Sequence, residues 1–485
     1  MAAINFRTET DFIGEKQIPA DSLFGIHSLR AQENFPDSGR FITEWYCAMG
    51  TVKKACYLTA KSFFEKLENH PEGKSFSIKK PAKNILDLLI SASTDVAEGK
   101  HFNHFIVPSI SGGAGTSINM NVNEIIANRA LQIGGFRPGG YGVIDPVEHA
   151  NIFQSTNDVV PTALKLAALV LLQVLENNIN ELRQKIEPLE KNHSYHLRSA
   201  YTQMQEAVPT SFGRLFGTYC DALSRDWWRI SRCSERLKVV NLGGSAIGSG
   251  IAVPRFFIME ASRTLQEISG LPLTRGENLF DVTANFDILA EVHGILKAHA
   301  VNLEKMVSDM RLLSSDICGA QELSIPRKQV GSSIMPGKIN PVIPEFVIGC
   351  AHKVYSNDAL IAQLSGQGCL ELNAYLPVIG HALLESIKLL VSCNKTIADN
   401  LFNGLTIHTN RAMDNLLKSP SVVTALVQYI GYHKASELAA YMKQNQTDII
   451  CANHALKLIE SERLNKILKP ENLLKEGFTL NDLSI

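Results

Sequence analysis

Apolar residues recur at steps of three and four between Pro161 and Glu187, at Leu164, Ala167, Ala168, Leu171, Leu172, Leu175 and Ile179. That spacing gathers them on one face of an α-helix. Glu277–Leu313 and Pro341–Leu364 carry the same pattern. Helices of this length have wide apolar faces that a small monomer buries with difficulty. They predict a bundle, either self-sufficient or completed by partner subunits. Upstream, Glu44–Leu67 predicts a helix with Met49, Val52, Ala55, Cys56 and Ala60 near one face. Asn84–Glu98 predicts another, with Asn84 as candidate N-cap. Ile13–Ser28 holds turn residues and short extended pieces, and His70–Lys83, charged and containing Pro and Gly, reads as a surface loop. Beyond residue 403 the region is smaller and helical; Glu460–Leu474 is charged, and Pro470 breaks it. The expected fold class is mainly α, in three parts: a mixed, mostly helical domain (1–150), a central long-helix bundle (151–402) and a small helical domain (403–485).

Composition narrows the class. The 485 residues are 45% hydrophobic and 20% charged, with a formal net charge of −1. These are ordinary values for a globular protein with a large core. The nearest basic cluster, Lys79-Lys80 with Lys83, is a short solvated patch, so no nucleic-acid partner is expected. The most apolar stretch, Leu166–Leu175, is too short to span a bilayer, and Met1–Asp11 lacks the apolar core of a signal peptide. The nine cysteines are scattered without a CxxC pair. They read as reduced thiols of a cytoplasmic protein, with no disulfide frame and no zinc site. His101/His104 and His193/His196 have metal-like spacing but no third ligand, so no metal is assigned. Cys369 has no paired base and reads as core or support.

One loop carries the chemistry. Gly331-Ser332-Ser333-Ile334-Met335-Pro336-Gly337-Lys338-Ile339-Asn340 sets two hydroxyls, a cation and an amide between glycines that allow a hinge. A Ser-Ser pair alone is usually a turn or capping element. With Lys338 and Asn340 it becomes a kit for holding a carboxylate and taking the proton from the adjacent carbon. Gly112–Ser117 is a Gly-rich turn ahead of a helical run, Asn123–Leu131. It is an anion-binding turn or a plain capping turn. Ser155-Thr156-Asn157, ahead of Pro161, is by itself an N-cap cluster.

Together these blocks resemble the aspartase/fumarase superfamily, whose members eliminate ammonia, water or amines to release fumarate. The resemblance rests on GSSIMPGKINPVIPE (331–345), on Phe24–Ala31 with Glu33–Phe35, on Gly112–Ser117 with Asn119-Met120-Asn121, on Gln154–Asp158 and on Thr202–Pro209. It covers most of the chain, although 68–83 and 132–145 match poorly. The GIHxLRAxENF stretch and the PVIPE tail are more similar to the ammonia-lyase branch. Glu206 stands where that branch more often has aspartate.

The resemblance implies a three-domain fold of that family and a homotetramer whose active sites are shared between subunits. It implies Ser332 as the general base. It also implies Thr116, Ser155, Thr156, Asn157, Thr202, Gln203, Ser333, Lys338 and Asn340 as contacts to a small dicarboxylate substrate. Gly331, Ile334, Met335, Pro336 and Gly337 would form the mobile part of a closing loop. The reaction builds a doubly charged, aci-carboxylate-like intermediate, which a cation and fixed donors stabilise. A serine serves as base only where local N–H groups and a cation favour its alkoxide. Fumarases carry, at the place of Gln203, a histidine paired with a glutamate matching Glu345, the supporting residue here. Glutamine exchanges no proton, so loss of ammonia is favoured over loss of water. The expected reaction is L-aspartate to fumarate and ammonium, with no cofactor required and divalent-metal activation left open. Fumarate hydratase, a lyase for another N-substituted succinate and a non-catalytic helical scaffold are the alternatives.

Overall fold

The computed structural model describes residues 5–36, 39–71, 80–82, 84–317 and 321–484. In chain order it begins with strands β1 (Phe6–Asp11) and β2 (Gly14–Pro19). Helices α1 (Ile26–Asn34), α2 (Thr43–Glu68), α3 (Ile85–Ala97), α4 (Thr116–Ile133) and α5 (Thr156–Asn192) follow. Next come β3 (Leu197–Thr202), β4 (Gln205–Ser211), α6 (Phe212–Leu237), β5 (Val239–Val240), α7 (Arg255–Ser269) and β6 (Thr274–Arg275). Then come α8 (Leu279–Ala284), α9 (Asp287–Leu313), β7 (Leu323–Ser324), α10 (Val342–Ser365), α11 (Leu376–Thr396), β8 (Thr406–Ile407) and α12 (Thr409–Lys418), followed by short helices. Among the described residues the strands form only two-stranded pairs, and the fold is mainly α. The loop expected over His70–Lys83 lies largely outside the described residues.

Two compact units emerge, each assembled from separated segments. The first holds 1–175, 229–297 and 353–389. At its centre Trp45, Tyr46, Met49, Val52, Ala55, Cys56 and Tyr57 of α2 are wholly buried, against α3, α4 and α7. The first turn of α1 is held by two buried carboxylates. Glu124 accepts from the backbone N–H of Gly25 (2.7 Å) and His27 (2.9 Å), and Glu9 accepts from that of Ile26 (2.8 Å). The second unit holds 176–228, 298–352 and 390–485. Its C-terminal part packs Leu416, Val422, Leu426, Leu438, Ile449 and Leu464 around Leu197 of β3.

Several boundaries differ from the sequence expectation. Glu277–Leu313 is two helices, parted at Asn285, whose backbone is extended (φ −107°, ψ 134°). The helix expected from Asn123 starts at Thr116, directly after the left-handed Gly113, Ala114 and Gly115. Asn84 precedes α3, but its side chain makes no capping bond. Cys369 is exposed rather than core, in a bridge with Leu372. Stretches of α5 and of Leu376–Phe402 are long and apolar enough to cross a bilayer, yet they are 83% and 61% buried within the fold. Burial on all sides is what an apolar helix inside a protein core requires.

Candidate active site

The first unit places Thr116 at the start of α4 and Ser155, Thr156 and Asn157 at the start of α5. The two helix starts meet closely. A Cβ at Gly115, where φ is +91°, would lie 3.2 Å from Val160 Cγ1 and 3.7 Å from Thr156 Cγ2. Glycine satisfies both the left-handed backbone and the approach. Two positive helix ends therefore lie close together, a setting that favours anions.

Ser155 is the N-cap of α5. Its Oγ accepts from Asn157 N (3.3 Å), and its own N–H donates to Asp158 Oδ1 (2.9 Å), a reciprocal capping arrangement. The other Asp158 oxygen accepts from the N–H of Gly243 (3.2 Å) and Ser245 (3.1 Å). Burial pushes this carboxyl up to about 6 despite those donors. Pro161 has no N–H to offer the carbonyl of Asn157 one turn back. Asn241 Nδ2 fills the gap at 2.8 Å and also reaches Thr283 Oγ1 at 2.9 Å. Asn157 Nδ2 is spent on Ala246 O at 2.7 Å.

Behind Thr156 lies a buried amide cluster. Asn119 Nδ2 donates to Thr156 Oγ1 (3.2 Å) and Asn151 Oδ1 (3.0 Å), and Asn123 Nδ2 also reaches Asn151 Oδ1 (3.1 Å). Lys53, at 0% exposure, donates to Asn119 Oδ1 (2.6 Å) and Asn151 Oδ1 (3.4 Å).

The second unit places Thr202 and Gln203 on the β3–β4 hairpin and the serine loop ahead of α10. Gln203 (φ 51°) and Met204 (φ 61°) are both left-handed, and Thr202 pairs with Gln205. This is a two-residue type I′ turn whose twist matches the flanking strands. The hairpin base is fixed by Glu322, wholly buried, which accepts from Arg198 Nε (3.1 Å) and Tyr201 Oη (2.9 Å). Glu322 immediately precedes β7, which pairs with β8. One carboxylate thus ties the hairpin to the strand that leads into the serine loop. Glu206 in β4 accepts from Ser419 Oγ (2.6 Å).

The loop is closed at its neck. Gly331 N–H donates to Lys338 O (2.8 Å), and Asn340 Nδ2 donates to Gly331 O (2.8 Å). Within it, Ser332 Oγ accepts from the backbone N–H of Ile334 (3.2 Å) and Met335 (3.0 Å). Ser333, Ile334, Met335, Pro336, Gly337 and Lys338 are exposed. Among the described residues no carboxylate pairs with Lys338. Glu345, also exposed, lies 3.7 Å from Arg311 Nη2.

The sequence-named residues therefore form two groups. Thr116, Ser155, Thr156 and Asn157 lie in the first unit, and Thr202, Gln203, the serine loop and Glu345 in the second. Sequence reading gave no role to the supports Lys53, Asn119, Asn151, Asp158, Asn241 and Glu322, although Asn119 and Asp158 lie within the motifs. Lys53 and Asn119 carry a signal, a polar residue inside a helix, as with Lys53 between Val52 and Ala55. Among the described residues no group of three or more His, Cys, Asp or Glu side chains is placed to hold a metal.

The chain is similar to known proteins along nearly its whole length. A family model described as "Lyase" matches residues 14–356, and one described as "Fumarase C C-terminus" matches 422–475. An aspartate ammonia-lyase of Bacillus subtilis is 37% identical over 99% of this chain and 98% of its own. That of Escherichia coli is 34% identical over 98% and 97%. Among solved structures, a fumarate lyase:delta crystallin from Brucella melitensis bound to cobalt superposes with a TM-score of 0.87 at 33% identity, covering 97% of this chain and 99% of that one. A class II fumarase from Schistosoma mansoni superposes with a TM-score of 0.83 at 26% identity, covering 96% and 98%.

Proposed function

Since the chain belongs to the aspartase/fumarase family of lyases, we propose that it converts L-aspartate to fumarate and ammonium, with Ser332 as the general base. The observation that carries this reading is the pair of backbone N–H groups aimed at Ser332 Oγ. Donors so placed stabilise an alkoxide, the form in which a serine can take a carbon-bound proton.

In this mechanism Ser332 Oγ removes the proton beside the distal carboxylate, leaving that carboxylate doubly charged. Ser333 holds it, and the exposed ammonium of Lys338 and the amide of Asn340 face the substrate's charge. Ser155, Thr156 and Asn157 reach the amino group and the distal carboxylate, Thr116 takes a carboxylate or the amino group, and Thr202 and Gln203, with Lys338 and Asn340, face the other carboxylate. The carbon–nitrogen bond then breaks anti to the lost proton, and the substrate ammonium leaves as neutral ammonia without an added acid. Gln203 supports this leaving group, because an amide lends no proton to hydroxide. Glu345, which would partner a histidine in a hydratase, has Arg311 beside it instead.

The site residues fall in two units, and the reading has them meet in a cytoplasmic homotetramer whose sites are shared between subunits. The chain division at 1–150, 151–402 and 403–485 belongs with it. No cofactor is required. The test gives purified protein L-aspartate or L-malate in separate cuvettes and follows the ultraviolet absorbance of fumarate, with ammonium assayed in parallel. Fumarate and ammonium together from aspartate alone support the reading. Fumarate from malate alone would make the protein a hydratase, and silence on both would refute the assigned substrate.

A further inference from the structure

We propose that Lys53, remote in sequence from every family motif, is a positioning residue that fixes Thr156 as a hydrogen-bond donor to a substrate carboxylate. The inference rests on the reading that the region between the starts of α4 and α5 receives a carboxylate, and it adds the group that sets the polarity there.

An amide side chain can be turned either way, and only its partners decide which end is oxygen. Protonated Lys53 has three N–H donors and no acceptor. At 2.6 Å it must face the oxygen of Asn119. The amide nitrogen of Asn119 is then turned to Thr156 Oγ1 at 3.2 Å and to Asn151 Oδ1 at 3.0 Å. Asn151 is held in the same sense. Its oxygen faces Lys53, Asn119 and Asn123, and its nitrogen donates to Gln154 O at 3.0 Å. Thr156 Oγ1 thus accepts from the interior, and among the described residues its own hydrogen has no acceptor. That hydrogen is left to point at a ligand oxygen. The direction of donation runs unbroken from the ammonium through the Asn119 amide and the Thr156 hydroxyl to the carboxylate.

A neutral amine would weaken the constraint, leaving Asn151 Oδ1 alone to hold the Asn119 nitrogen in place. The amine can accept, so Asn119 could reverse, offer its oxygen to Thr156 and take up the hydrogen meant for the substrate. Burial brings Lys53 down to about 7, and Asp158 and Cys56 are the ionisable groups that bear on it. The arrangement is therefore sensitive to pH in the neutral range. A carboxylate bound at Thr156 would favour the protonated amine.

The test is equilibrium binding of succinate, an unreactive dicarboxylate, to the full-length protein by calorimetry. Lys53→Met and Thr156→Val should each weaken succinate by about tenfold or more, and the double variant should lose little beyond either alone, since both cut one chain of donors. Wild-type affinity should fall between pH 6.5 and 8.5 more steeply than that of Lys53→Met. Should Lys53→Met fail to fold, Asn119→Asp carries the test. It keeps the cation paired and turns an acceptor toward Thr156, and it should weaken succinate to the same degree. Lys53→Met binding within about twofold of wild type would overturn the proposal, as would losses that multiply in the double variant or a wild type that takes no succinate. Turnover of L-aspartate by the wild type is scored separately. It decides the proposed reaction, whereas the succinate series decides the role of Lys53.

Discussion

Removal of the Ser332 hydroxyl is the sharpest test of the proposed chemistry. The geometry sets the scale. A hydrogen bond to a charged group contributes about 1.5–3 kcal/mol, so the N–H groups of Ile334 and Met335 together stabilise an alkoxide at Ser332 by roughly 3–6 kcal/mol. Donors that gain strength as the oxygen becomes charged push the hydroxyl pKa down. Lys338, without a carboxylate partner among the described residues, can add to it when substrate closes the loop. Positioned proton transfer typically contributes about 10²–10⁴-fold in rate, and Ser332→Ala should lower kcat by that factor. The assay is fumarate absorbance at saturating L-aspartate, with exchange of the C3 proton into heavy water measured alongside. Exchange should vanish with turnover, while circular dichroism and oligomer mass stay unchanged. Ser332→Cys adds a signature: a thiolate, with an ordinary pKa near about 8.5, should restore a small rate whose alkaline limb moves to lower pH. A Ser332→Ala protein that folds, assembles and keeps more than about a tenth of wild-type kcat would show that another group takes the proton.

The remaining predictions concern the supports. A Cβ at Gly331 would sit 2.7 Å from Asn340 N and 2.8 Å from Lys338 O, so Gly331→Ala should spring the neck of the loop and cost tenfold or more in kcat, with far-ultraviolet dichroism unchanged; full activity would refute it. Asn241→Leu leaves the Asn157 carbonyl without its donor, which should cost about 1–3 kcal/mol, read as a lower calorimetric midpoint. Glu322→Gln removes the partner charge of buried Arg198; breaking such pairs costs about 3–5 kcal/mol, and amide exchange should quicken across 197–211 and 321–324. The Asp158 carboxyl is raised to about 6 from 3.8, so the folded chain holds this proton more tightly than the unfolded one. Its contribution to stability is full below pH about 3.8 and is lost as pH rises through about 6, and Asp158→Asn should flatten the dependence of the thermal midpoint on pH across that window.

What could be read from the sequence, and what could not, follows from which patterns survive burial. The long helices were legible because α2, α5 and α10 keep their apolar residues on recurring faces. Helix α4 was only half legible. Its buried residues include Asn119, Asn121, Asn123, Glu124 and Asn128, which look like loop polarity until their partners are known. The break at Asn285 was hidden because Leu279, Thr283, Phe286 and Leu289 are all buried at helical spacing; the periodicity runs straight through it. The serine loop announced itself through density of chemistry in few residues. Lys53, Asn241 and Glu322 could not, since each acts on residues far away in the chain, and nothing in its neighbours says which.

The proline in the first turns of α5 also orders events in time. Asn157 cannot have its carbonyl satisfied by its own helix, and the side chain that does so lies 84 residues further on. At synthesis rates of about 5–20 residues per second, the ribosome needs roughly 4–17 s more before that partner exists. Until then the pocket end of the helix is unfinished while its apolar body can already coil. A nascent chain therefore forms the body of α5 before the corner proposed to hold substrate, and truncated products ending before Asn241 would carry the helix with its first turn unfinished.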